Sequence, residues 1–125
     1  MARIIVIDDD RQFVELAIMI LRKSGYEVVS AFDCAEGSRK VLAADPDVII
    51  LDLMIGGLSQ GFDLAGEIRR NGKTARIPLI LLTMVGRREG KMDSIWISRD
   101  QFITKPVKPE LLLEAVDRAL ERKGS

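Results

Sequence analysis

The amino-acid sequence predicts an α/β fold, a doubly wound (βα)₅ parallel sheet with helices on both faces. Three observations carry this. Short apolar runs, Ile4-Ile5-Val6-Ile7, Val48-Ile49-Ile50-Leu51 and Leu79-Ile80-Leu81-Leu82, recur along the chain without polar alternation, as strands buried on both faces require. Longer segments with apolar residues at helical spacing separate them, and that alternation implies parallel strands with helical crossovers. The 125 residues, 47% of them hydrophobic, form one domain over 1–125, long enough to hold a core without disulfide staples.

The elements follow in order. Ile4 to Ile7 is the first strand and runs into Asp8-Asp9-Asp10. Asp10 to Lys23 carries Phe13, Leu16, Ala17, Ile20 and Leu21 on one helical face, with Gly25 as its stop. Glu27 to Ala31 is the second strand. Cys34 to Ala44 is a helix closed by Asp45-Pro46. Val48 to Leu51 is the third strand, ending at Asp52. A glycine-rich loop, Gly56 to Gly61, leads to a helix over Phe62 to Arg70. Pro78 opens the fourth strand, which ends at Thr83. Gly86 to Ser98 holds two glycines and few apolar residues, and a short helix is expected there. Gln101 to Thr104 is the fifth strand, ending at Lys105-Pro106. Pro109 suits the first turn of the last helix, where a missing N–H costs nothing.

Composition narrows the chemistry. Lys+Arg and Asp+Glu both number 19, a balance that argues against a nucleic-acid surface. Cys34 is the one cysteine and there is no histidine. Ser-His-Asp and Cys-His catalysis are therefore excluded, and so is a Cys-ligated metal site. No segment has the makeup of a signal peptide or a membrane span, so the expected location is the cytoplasm. What remains is carboxylate, hydroxyl and amine chemistry.

In a parallel sheet of this kind, function gathers at the carboxyl ends of the strands. Those ends carry Asp8 and Asp9, Asp52, Thr83 and Lys105. Clustered carboxylates raise one another's pKa, and an oxygen-only ligand set favours Mg²⁺. Aspartate can also accept a phosphoryl group, with Mg²⁺, lysine and a hydroxyl neutralising the transferred oxygens.

On these residues the chain resembles the receiver domain of bacterial two-component response regulators. The matching stretches are Val6-Ile7-Asp8-Asp9-Asp10, Ile49-Ile50-Leu51-Asp52, Leu82-Thr83 and Lys105-Pro106. The resemblance implies a flavodoxin-like strand order 2-1-3-4-5 and a cis Lys105-Pro106 peptide. It implies Asp52 as phosphoacceptor, with Thr83 and Lys105 assisting. It implies Mg²⁺ held by Asp8, Asp9, Asp52 and the Met54 carbonyl, and a switch in which Thr83 and the ring of Phe102 move together. The implied donor is a sensor histidine kinase or a histidine phosphotransfer protein. The implied output is a change in the face formed by the segment 86–98, the fifth strand and the last helix, with a phosphorylation-dependent dimer as one assembly. Direct contact with nucleic acid or membrane is not implied. The chain is expected to act as a regulatory switch rather than as an enzyme.

Plainer readings stand beside these. Asp10 reads first as a helix N-cap, and Phe102 as core packing. Two other functions are compatible with the strand ends: a phosphorylation-independent interaction module on the same fold, and a small haloacid-dehalogenase-type phosphohydrolase using Asp8-Asp9-Asp10. The loop after Asp52 departs from the receiver pattern. Gly56 stands where proline is usual, Gly61 arrives one residue late, and mobility is expected there. Met84 replaces a small residue, and Met54 and Val85 place no polar side chain to orient water. Slow loss of the phosphoryl group is expected.

Overall fold

The computed structural model describes residues 1–57, 60–84 and 100–123. The expected helix within 86–98 and Val85 lie outside the described residues.

The elements are β1 (Arg3–Ile7), α1 (Arg11–Lys23), β2 (Glu27–Ala31), α2 (Cys34–Ala44), β3 (Val48–Asp52), a short 3-10 turn at Ile55–Gly57, α3 (Gln60–Arg70), β4 (Leu79–Thr83), β5 (Gln101–Thr104) and α4 (Pro109–Lys123). All strand pairings are parallel, and the sheet order is β2-β1-β3-β4-β5. The expected order holds, as does the cis Lys105-Pro106 peptide.

Alternation along the strands divides the core in two. Ile4, Val6, Val28, Ile50, Ile80 and Leu82 face α1 and α4, where Val14, Leu21, Leu112 and Val116 meet them. Ile5, Ile7, Ile49, Leu51, Leu79 and Leu81 face α2 and α3, meeting Val41, Leu64, Ala65 and Ile68. Every residue of β3 and β4 is buried, which is why those two strands are unbroken apolar runs.

The helix ends follow local chemistry. Asp10 caps α1 by accepting from the Phe13 amide at 3.1 Å, and so is the N-cap its position predicts. At the other end Gly25 takes φ 93°, with Gly25 N–H donating to Arg22 and Tyr26 N–H to Leu21. These paired bonds satisfy the last carbonyls and require the left-handed residue that glycine supplies. Asp33 caps α2 at the Glu36 amide, and Glu36 accepts from the Phe32 amide. The Asp33-x-x-Glu36 spacing is the sequence signal for a capping box, here with the return bond made to the amide one residue before the cap.

α3 starts at Gln60, two residues before the expected Phe62. Gly61 looks like a helix breaker in the sequence. In the fold a Cβ there would stand 2.3 Å from the Asp52 carbonyl oxygen, so glycine is what lets α3 begin against the end of β3. At the opposite edge of the sheet, Arg69 of α3 donates to the Ile77 carbonyl at 2.9 Å and pairs with Asp100 at 2.5 Å. Asp100 also accepts from the Leu79 amide at 2.8 Å. That buried ion pair ties α3 to the starts of β4 and β5. Among the described residues, no helix is long and apolar enough to cross a membrane.

Candidate functional site

Parallel strands all end on one edge, so β1, β3, β4 and the segment after β5 bring Asp8, Asp9, Asp52, Thr83 and Lys105 together. Asp8 is fully buried, Asp52 and Thr83 are buried, and Asp9 is exposed. One carboxylate oxygen from each of Asp8, Asp9 and Asp52 lies within 4.8 Å of the others.

Each carboxylate has a backbone donor. Asp8 Oδ1 accepts from the Asp10 amide at 2.9 Å, and Asp52 Oδ1 from the Met54 amide at 2.9 Å. Asp9 Oδ2 accepts from the Gly56 amide at 2.9 Å. Lys105 Nζ lies 3.0 Å from Asp8 Oδ2 and 3.2 Å from Asp52 Oδ2. Its contact with Asp52 has hydrogen-bond geometry. Its contact with Asp8 is close but not aligned, so Asp8 Oδ2 is buried without a proper donor. Lys105 also stands over the Phe13 ring at 5.7 Å, and its own amide donates to the Thr83 carbonyl at 2.7 Å.

Electrostatics follow from this packing. Burial pushes the Asp8 carboxyl up to about 6, the Asp10 amide and Lys105 pull it back, and the neighbouring Asp52 charge adds to the rise. Burial opposes the Lys105 charge, but Asp8 and Asp52 outweigh it and hold the ammonium above its ordinary range. Burial, then the charge of Asp33, pushes the half-buried Cys34 thiol up, so this cysteine is not an activated nucleophile.

An oxygen-only set of three carboxylates gathered within 4.8 Å suits a small hard cation, and an acidic cluster of this kind fits Mg²⁺. Met54 sits in the turn after β3, beside Asp52. Thr83 ends β4 paired with Thr104, one step beyond the Asp52–Leu82 pair. Phe102 is half-buried on the α2–α3 side of the sheet, in register with Leu81. It is a core-edge residue, as its lack of a hydroxyl suggests. Met84 is 54% exposed next to Thr83. An apolar groove of about 710 Å³, lined by Phe13, Leu16, Met84, Pro106 and Val107, opens beside Lys105.

Two features were not read from the sequence. The Gly56–Asp9 bond joins residues 47 apart, and its one sequence trace is the absence of proline at 56. The helical spacing places Phe13 on the α1 core face and gives no sign of the Lys105 ammonium over its ring.

Comparison with known proteins agrees with this geometry. A family model for the response regulator receiver domain matches residues 4–117. The DNA-binding dual master transcriptional regulator RpaA of Synechocystis is 37% identical over 98% of the chain, and the phosphate regulon transcriptional regulatory protein PhoB of Pseudomonas aeruginosa is 32% identical over 97%. The chain spans about half the length of each, 50% and 52% respectively. The crystal structure of a response regulator receiver domain protein from Clostridium thermocellum superposes with a TM-score of 0.84 at 29% identity, covering 99% of this chain and 98% of that one. With its strand order, its acidic edge and a family match over most of its length, the chain belongs to the response regulator receiver domains, the signalling modules of two-component systems.

Proposed function

We propose that Asp52 is the phosphoacceptor of this receiver domain, taking its phosphoryl group from a phosphohistidine on a sensor histidine kinase or histidine phosphotransfer protein. The observation that carries this is the Lys105 ammonium set between Asp8 and Asp52 at the sheet edge. A carboxylate oxygen of Asp52 attacks phosphorus, the P–N bond to the donor imidazole breaks, and the departing imidazole takes up a proton. The product is an acyl phosphate on Asp52.

Asp8, Asp9, Asp52 and the Met54 carbonyl are the residues that would hold Mg²⁺. When bound, the ion neutralises charge on the transferred oxygens. Lys105 adds a second positive charge to the same oxygens. The Thr83 hydroxyl donates to one of them, and its movement toward the phosphoryl group is coupled to the Phe102 ring. The apolar groove beside Lys105 offers the donor protein a surface next to the acceptor. The domain acts as a switch: phosphorylation shifts a two-state equilibrium, and the face around β5 and α4 carries the output.

Transfer from a phosphorylated histidine donor tests the reading. Label should move onto the protein in the presence of Mg²⁺ and stay on the donor when EDTA is added. Transfer that is indifferent to EDTA would count against the proposed metal site.

A further inference from the structure

The turn after β3 supplies two backbone donors to the acidic edge: the Met54 amide holds Asp52, and the Gly56 amide holds Asp9. The second donor is specific to this chain's residue choice. Gly56 has φ 74°, a left-handed conformation, and a proline at this position would carry no N–H to give. Space is not what selects glycine, because the nearest atom to an added Cβ is the Gln60 Oε1 at 3.8 Å. The backbone conformation and the free N–H are.

Asp9 is exposed, so its carboxylate would rotate freely without an anchor. The Gly56 amide at 2.9 Å engages Oδ2 and leaves the other oxygen without that donor. With this bond in place, one oxygen from each of the three carboxylates falls within 4.8 Å. A donor to a ligating carboxylate fixes its orientation, and removing such a partner commonly lowers metal affinity about tenfold or more.

We propose that the Gly56 amide is a positioning donor for Asp9, orienting its carboxylate toward a divalent cation at the acidic edge. The inference rests on the metal site proposed above and adds its outer support. Cation binding and the 55–57 turn then become one linked unit, because the turn keeps its shape by holding the carboxylate that holds the ion. Glycine at this position exchanges the rigidity of a proline for a hydrogen-bond donor.

Two measurements test it. Mg²⁺ titrations compare wild type with Gly56→Pro, which loses the N–H, and Gly56→Asn, which keeps it and tolerates a left-handed φ. We expect Gly56→Pro to raise the Mg²⁺ Kd about tenfold and Gly56→Asn to stay near wild type. Because proline also changes φ, NMR of wild type supplies the second readout, the scalar coupling from the Gly56 amide to the Asp9 carboxyl carbon. That coupling should persist when Mg²⁺ saturates the protein. Its disappearance on saturation would show a competitor rather than a support and would overturn the proposal. Equal Kd values for Gly56→Pro and Gly56→Asn would overturn it too, while leaving the metal site standing. Absence of saturable Mg²⁺ binding in wild type would bring down the metal site itself, and this proposal with it.

Discussion

Lys105 Nζ stands 3.0 Å from Asp8 Oδ2, and Asp8 is the most deeply buried carboxylate of the site. The lysine therefore does the work that a bound cation also does, offsetting charge among clustered carboxylates. Lys105→Met removes that offset. Tm without Mg²⁺ should fall, and added Mg²⁺ should recover more stability than it gives wild type, where saturation at about 100 times Kd adds about 2.7 kcal/mol. Thermal melts with and without Mg²⁺ check this, and an equal Mg²⁺ gain in both proteins would contradict it.

Asp8 gives the site a pH dependence with a definite sign. Its carboxyl is raised to about 6 from an ordinary 3.8, so the folded protein holds this proton more tightly than the unfolded chain does. The resulting stability is complete below the ordinary value and is lost as pH rises through about 6. Mg²⁺ binding runs the other way, because it needs the ionised form. The Mg²⁺-induced rise in Tm should be small near pH 5 and full by about pH 8. Asp8→Asn should stabilise the Mg²⁺-free protein at pH 8 by on the order of 1–2 kcal/mol, read as a higher Tm, and abolish the Mg²⁺ response.

The buried pair at the far edge of the sheet predicts an asymmetric cost. Arg69 and Asp100 have side chains only 5% and 1% exposed. Arg69→Met leaves the Asp100 charge without its guanidinium and should cost about 3–5 kcal/mol in denaturant unfolding. Replacing both residues with apolar ones should cost clearly less. If the double substitution is no milder than the single one, the pair is not acting as a mutual charge offset.

The surroundings of Asp52 bear on how long an acyl phosphate would last. Met54 follows the acceptor by two residues, and Met84 is exposed beside Thr83. Neither side chain orients water. The phosphorylated form should decay over many minutes or longer, and Met54→Asn should shorten that lifetime by about tenfold or more. Decay within seconds in wild type would contradict the expectation.

Much of this was legible in the sequence because the strands are buried on both faces. Ile4 to Ile7 and Leu79 to Leu82 have no polar alternation to disguise them, and the charged or hydroxyl residue ending each run marks the functional edge. β2, the helix α2 and β5 match their expected bounds for similar local reasons. The start of α3 did not, because Gly61 carries two meanings. Locally it breaks helices, but in the fold it is the residue that can lie against the Asp52 carbonyl. The Gly56–Asp9 and Arg69–Asp100 contacts were also hidden, since partners 47 and 31 residues apart leave no periodic trace.

The most direct test of the central claim is the intact mass of the protein after incubation with Mg²⁺ and acetyl phosphate. Wild type should gain a single phosphoryl adduct, and Asp52→Ala should gain none. An adduct that persists in Asp52→Ala, or no adduct on wild type with any donor, would contradict Asp52 as the phosphoacceptor.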